Sequence, residues 1–225
     1  MKKIIYLIYI SCFIIIGQNS KESNNICDLL PIIRSESKMN ISLREFSKGD
    51  YERYKNENSN EIVLFKNSDS IERVLTTKYP KLFLKENKNV LTVGFDSKSK
   101  SFINNNIQDK TFSKYIIKGM FKDYFIINEE FYEGWSCTLI NVKTNKLYTL
   151  PSNPIFINEN FFYSYSNFYG EEELRVIDVI NNNSFLLTFS DVYFISSYNL
   201  SNHIMFEVKC MNSNEKKYLE LLLLP

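Results

Sequence analysis

The chain has 225 residues, 44% of them hydrophobic and 15% aromatic, which is enough apolar material for one ordinary core. A formal charge of +1, without any long basic run, argues against a nucleic-acid binder, which needs a clustered basic face. Alanine is absent, which disfavours an all-α fold because helical domains use alanine freely. An AT-rich coding sequence produces a similar bias toward Lys, Asn, Ile, Phe and Tyr, so composition alone is weak evidence for strands.

Read in order, the chain opens with Lys2-Lys3, an uncharged apolar run Ile4–Ile16 and the small, polar exit Gly17-Gln18-Asn19-Ser20. This is the plan of a secretory signal peptide over residues 1–20. The run is shorter than the roughly 20 apolar residues that span a bilayer. The expected location is therefore secreted or periplasmic, with membrane anchoring through the N-terminal apolar segment as the alternative. Cys12 lies inside the run, where a lipidated cysteine would normally end it. Losing Lys2 and Lys3 with the signal takes the formal charge to −1. Cys27, Cys137 and Cys210 would remain, an odd number that leaves at least one unpaired.

Residues 21–60 form a polar N-terminal region with one apolar patch at Cys27–Ile33. Ile41–Phe46 fits either a short strand or the start of a helix. A boundary near Asn60 opens a β-repeat domain over residues 61–225. Glu61–Phe65 reads as a strand, while Ser70–Thr77 fits helix and strand equally poorly. Leu82–Leu84 and Asn89–Phe95 read as strands, and Asp96–Lys110 as a long polar loop. Next come a strand at Tyr115–Lys118 and the unit Tyr124–Leu150, read as a strand, an acidic loop Glu129–Gly134, a strand, a turn at Lys143–Asn145 and a strand. Further strands follow at Pro154–Ile157, Asn160–Ser166, Glu172–Ile180, Ser184–Phe189, Val192–Ser197, His203–Lys209 and Lys217–Leu224. Asn-rich punctuation between them suits hairpin turns, because Asn tolerates the left-handed conformation.

A weak repeat underlies this series. Leu139-Ile-Asn-Val-Lys-Thr-Asn-Lys aligns with Val176-Ile-Asp-Val-Ile-Asn-Asn-Asn. FIIN at Phe125–Asn128 and IFIN at Ile155–Asn158 lie upstream, and Val192-Tyr-Phe-Ile opens a third unit ending in the Asn212–Asn214 turn. A spacing of roughly 35–40 residues is close to that of a four-stranded propeller blade. The expected fold is all-β, with short antiparallel strands in propeller-like repeats; an open β-meander or a β-sandwich is the alternative. The C-terminal Lys217–Leu224 is read as a strand rather than a helix. It is expected to close the sheet against Glu61–Phe65 or Asn89–Phe95.

The run EGWSCTLINVKTNKLYTLPSNPIFINENFF resembles segments of uncharacterised exported bacterial proteins with propeller-like β-repeats. Asn145 stands where those proteins often carry Gly, and Asn158 departs from their second Pro. The resemblance covers the chain from Tyr115 onward. It implies export and β-repeats and carries no activity.

Candidate chemistry is sparse. Glu129, Glu130 and Glu133 cluster beside Trp135, the only tryptophan. A carboxylate pair with an aromatic platform is the pattern of a glycan hydrolase, whereas glutamates in one loop are more often a solvated face. Phe161, Tyr163 and Tyr165 alternate onto one strand face, either as an exposed aromatic platform or as a sheet core. Glu171-Glu172-Glu173 lacks the alternating Asp and the Gly of a calcium loop. His203, the only histidine, has Cys210 seven positions later, without the context of a Cys–His nucleophile. Asn40-Ile-Ser, Asn182-Asn-Ser and Asn199-Leu-Ser match the glycosylation triplet, as chance allows in so Asn-rich a chain.

The residues therefore point to a non-enzymatic binding or envelope-interaction module, with a carbohydrate-active hydrolase using the Glu129–Glu133 loop as the alternative. The candidate ligand-binding residues are Glu130, Glu133, Trp135, Tyr163 and Tyr165, with no catalytic residue, metal ligand or cofactor assigned. The expected partner is a protein or glycan of the envelope, with no nucleic acid and no transmembrane span in the mature chain.

Overall fold

A computed structural model describes residues 32–35, 40–54, 62–95, 98–168, 171–190, 192–200, 203–211 and 215–224. The expected signal segment, Cys27 and the Asn212–Asn214 turn lie outside them. In chain order the elements begin with strands β1 (Ile32–Ser35) and β2 (Asn40–Glu45), helix α1 (Lys48–Tyr54), strand β3 (Val63–Leu64) and helix α2 (Ser68–Lys78). Strands β4 (Phe83–Asn87), β5 (Val90–Phe95), β6 (Lys98–Ile103), β7 (Ser113–Phe121), β8 (Tyr124–Phe131), β9 (Gly134–Asn141) and β10 (Lys146–Leu150) follow. The last are β11 (Ile155–Asn158), β12 (Phe161–Phe168), β13 (Glu171–Asp178), β14 (Asn183–Phe189), β15 (Val192–Leu200), β16 (His203–Cys210) and β17 (Lys216–Leu224).

The protein is all-β, with strands in four antiparallel sheets built mainly from consecutive runs of chain. Sheet I is β4-β5-β6. Sheet II is the meander β7 to β10 with β3 added beside β7. Sheet III is β11 to β14 with β1 added beside β14, and sheet IV is β15-β16-β17-β2. Strand residues alternate between faces, and each sheet sends apolar residues to both neighbours where it has two. Leu91, Val93 and Phe102 of sheet I share a core with Ile117, Phe125 and Ile127 of sheet II. Ile126 and Leu139, on the other face of sheet II, pack with Phe156, Phe162 and Ile177 of sheet III. Tyr163, Leu174 and Val176 of sheet III meet Ile204, Phe206 and Leu219 of sheet IV. The sheets therefore stack in chain order, I on II on III on IV.

The repeat is visible in two hairpins. The loops β9–β10 and β13–β14 each contain four residues between paired Asn141 and Lys146, and between paired Asp178 and Asn183. Asn141 Oδ1 accepts from Lys143 N and Thr144 N, and Asp178 Oδ1 accepts from Asn181 N. Asn145 and Asn182 occupy matching left-handed positions, with φ of 60° and 53°. The turn expected at Lys143–Asn145 is thus present, and its partner stands where the aligned repeat puts it. The flanking part of the alignment is out of register: FIIN lies in β8, the second strand of its meander, and IFIN in β11, the first of its own. Counterpart turns also touch across the sheets. Lys122 Nζ bonds Glu159 Oε2 at 2.7 Å, and Lys146 Nζ bonds Asn182 Oδ1 at 2.9 Å.

The ends of the chain meet in sheet IV. The strand expected at the C-terminus is β17, but it pairs with β16 and β2 rather than with 61–65 or 89–95. Ile41 and Leu43 add an apolar face to the sheet III–IV core, which makes β2 the better partner. Strands β1 and β2 both precede Asn60 yet are bonded into sheets III and IV. Across this seam Glu220 receives Arg44 Nε and lies 2.5 Å from His203 Nδ1. Burial opposes ionisation of Glu220, but the bonds to Arg44 and His203 outweigh it and hold its carboxyl below the usual range. Cys210 is disulfide-bonded and Cys137 is a buried free thiol. His203 and Cys210 therefore form no nucleophilic pair: the imidazole faces Glu220, and the sulfur is already engaged in a disulfide.

The ambiguous 70–77 stretch is helical because its N-terminus is capped: Asn67 Oδ1 accepts from Ser70 N at 3.0 Å, and Asp69 sits in the first turn. The loop expected over Asp96–Lys110 contains β6, whose polar side chains hid Phe102, a core residue. Strand β7 has little free edge. Ser68 Oγ accepts from Ile117 N, Asn104 Oδ1 from Tyr115 N, and Lys118 O from Phe65 N.

Candidate functional site

Strand β8 carries the acidic cluster and runs on to Phe131, so the loop expected over Glu129–Gly134 shrinks to Tyr132 and Glu133. This changes what the glutamates can do. Successive residues of a strand point to opposite faces. Glu129 turns toward sheet I, is only 7% exposed, and is ion-paired with Lys100 of β6. Ser136 Oγ donates to the same carboxylate at 3.1 Å, and Lys100 also reaches Thr138 Oγ1 at 2.7 Å. Glu130 lies on the opposite face and is exposed, while Glu133 is exposed in the turn. No pair of carboxylates is set face to face here.

The face carrying Glu130 continues past the part of sheet II that packs on sheet III. Cross-strand partners share a face, so Lys114 stands opposite Glu130, Glu130 opposite Trp135, and Ile116 opposite Asn128. These residues, with Phe131, Gly134 and part of Glu129, line an open groove of about 440 Å³. Trp135 is 46% exposed, Phe131 42% and Ile116 40%. Asn128 is one of the lining residues, and its Oδ1 is buried and has no hydrogen-bond partner. An unpaired buried acceptor is costly, by about 1–3 kcal/mol, and such atoms are rare away from bound water or ligand. The groove thus combines a flat aromatic surface, two smaller apolar contacts, one cation, the exposed Glu130 carboxylate, part of the Lys100-paired Glu129 and the residue that carries the unsatisfied acceptor.

The structure separates the five residues singled out in the sequence. Glu130 and Trp135 line the groove and Glu133 sits at its turn. Tyr163 is elsewhere and 0% exposed: its ring packs in the sheet III–IV core and its hydroxyl donates to Ser197 Oγ at 2.9 Å. Tyr165 packs against the same core, 5.1 Å from Phe194 and 5.9 Å from Phe206 between ring centroids. The alternation on β12 is therefore a core face, because sheet IV covers it. Lys114, Ile116, Asn128 and Phe131 also line the groove and were not among the candidate binding residues. Their only sequence signal is alternation in strands flanking Trp135, and that becomes informative once register is known.

Among the described residues, no group of three or more His, Cys, Asp or Glu side chains is placed to hold a metal ion. Nor is any helix there long and apolar enough to cross a membrane. Burial pushes the Cys137 thiol up to about 12, with Lys100 opposing and Glu129 adding to the shift, so this cysteine is an inert core residue. No family model, curated protein or solved structure matches this chain.

Proposed function

We propose that this protein is an exported glycan-binding module of the cell envelope, and that its ligand lies in the Trp135 groove. The observation that carries the reading is an open aromatic groove, one of whose lining residues carries an unpartnered buried acceptor, Asn128 Oδ1. A sugar ring presents an apolar face that stacks on an indole, and hydroxyl donors that suit Asn128 and Glu130. Lys114 supplies a donor in return. The hydrolase alternative has less support, because Glu129 and Glu130 project from opposite faces of β8 and Glu129 is held by Lys100. Export draws support from the signal-like N-terminus and from the disulfide at Cys210, since such bonds persist in oxidising compartments. In this reading the four sheets are successive blades of a propeller-like array. Its support is the repeated turn and the closing of the last sheet by an N-terminal strand.

The single tryptophan makes the test direct, because intrinsic fluorescence reports on Trp135 alone. Soluble chito- and cello-oligosaccharides, with a mixed peptide pool as the competing class, should separate the outcomes. A saturable fluorescence change with an oligosaccharide is expected, and calorimetry should show affinity falling about tenfold or more in Trp135→Ala. A response to peptides alone, or to neither class, would reject the glycan reading. N-terminal sequencing of protein exported by its native host should give a start between Gln18 and Lys21; an intact Met1 would reject export by cleavage.

A further inference from the structure

We propose that the cleft between β10 of sheet II and strands β13 and β14 of sheet III is a second binding site, for a small oxyanion. It lies at the far end of sheet II from the Trp135 groove: Trp135 begins β9, whereas this cleft adjoins the β9–β10 turn. Its volume is about 390 Å³, and Tyr148, Arg175, Asp178 and Ser184 line it.

The cleft follows from the packing of the two sheets. Their shared core is filled by Ile126, Leu139, Phe156 and Phe162, but β10 is a short edge strand at the margin of that core. Tyr148 meets Phe162 edge-on, with centroids 5.5 Å apart, and its ring continues the core. Its hydroxyl is buried without a hydrogen-bond partner. A buried tyrosine hydroxyl usually has one, so this atom calls for a ligand or water. Burial, with a smaller contribution from Tyr124, raises the hydroxyl pKa to about 12, so it keeps its proton and acts as a donor at neutral pH.

The other polar groups of the cleft are biased the same way. Arg175 donates through Nη1 to Thr149 O at 2.7 Å and, at a long 3.4 Å, through Nε to Ser184 Oγ. These contacts hold the guanidinium in place and use two of its five donors. Lys146 brings a second positive charge to the rim, where its Nζ is fixed on Asn182 Oδ1. The one carboxylate among the described lining residues, Asp178, is already engaged, accepting from Asn181 N at 3.1 Å and from Asn181 Nδ2 at 2.6 Å. Arg175 therefore brings a fixed guanidinium with three donors in reserve into the cleft, Lys146 adds a positive charge beside Asn182 at its margin, and the Tyr148 ring lines the wall beneath which its unpartnered hydroxyl is buried. A planar carboxylate or a phosphate suits a fixed guanidinium. The same chemistry is offered by a free inorganic anion and by the acid group of a sugar acid.

The test uses the full chain and two probes, inorganic phosphate and glucuronate, in separate calorimetric titrations. Saturable binding of either supports the site, and which probe binds identifies the source. Arg175→Gln should weaken binding about tenfold or more, and Tyr148→Phe about fivefold, the effect of one hydrogen bond. Tyr148→Phe should also melt at or above the wild-type temperature, since it removes an unsatisfied hydroxyl, so its loss of binding is not a loss of fold. Trp135→Ala should bind either anion as the wild type does. Absence of saturable binding by both probes, or wild-type affinity in Tyr148→Phe and Arg175→Gln, would overturn the proposal.

Discussion

Sheets II and III are built alike, and their aromatic residues nonetheless have opposite fates. Each is a four-strand meander with a left-handed asparagine in one of its hairpins. In sheet III, Tyr163 sits on a face covered by sheet IV and is wholly buried. In sheet II, Trp135 stands at the end of a face that sheet III covers only in part, and nearly half of it is exposed. Strand pattern sets which side a residue takes. The neighbouring sheet decides whether that side is core or surface, and so whether an aromatic residue is packed or left open.

The largest expected effect tests the covered face. Tyr163→Ala should cost about 3–5 kcal/mol, the range for removing a large buried aromatic, read by denaturant unfolding. A cost no greater than that of Trp135→Ala would break the comparison. The next concerns an asymmetry between the two meanders, since sheet II alone receives β3 beside its first strand. A Cβ on Gly119 would lie 2.6 Å from the carbonyl oxygen of Val63 and 3.3 Å from Leu64 Cα. Both obstacles are backbone atoms and cannot swing aside. Gly119→Ala should therefore cost about 1–3 kcal/mol, and an unchanged melting temperature would mean that β3 does not seat there.

The repeated turn sharpens the likeness. Asn145→Val and Asn182→Val should each cost about 1–2 kcal/mol, because a β-branched residue resists φ near 60°. The corresponding glycine variants should be close to neutral. Matching effects at both sites in thermal melts would support equivalent turns, and a cost at one alone would make the repeat superficial. The smallest effect is at the open face. Trp135→Ala should change stability by only about 0.5–1 kcal/mol while weakening oligosaccharide binding about tenfold or more, so a melt and a titration on the same variant separate the two roles.

Much of this was legible from local pattern. The strand series from Tyr115 onward, the turn at Lys143–Asn145 and the β rather than helical C-terminus all rest on signals within a few residues: alternation, asparagine turns and β-branched or aromatic runs. Strand β6 was missed because KSKSFI is polar on one face and offers little more than Phe102 to the other. The candidate site was half legible. Glu130 and Trp135 were marked by their chemistry, whereas Lys114, Ile116 and Asn128 come from other strand positions and join them only through register.

By itself, then, the sequence determined the class of secondary structure, the left-handed asparagine turns and the alternation that assigns side chains to faces, because these depend on backbone sterics and near neighbours. Tertiary structure alone decided that β17 pairs with β2, that Glu129 is buried against Lys100, that Tyr163 is core and that Trp135 is open. Each of those outcomes depends on which sheet lies against which. That is set by the total apolar area the four sheets bury together, a property no single stretch of chain contains.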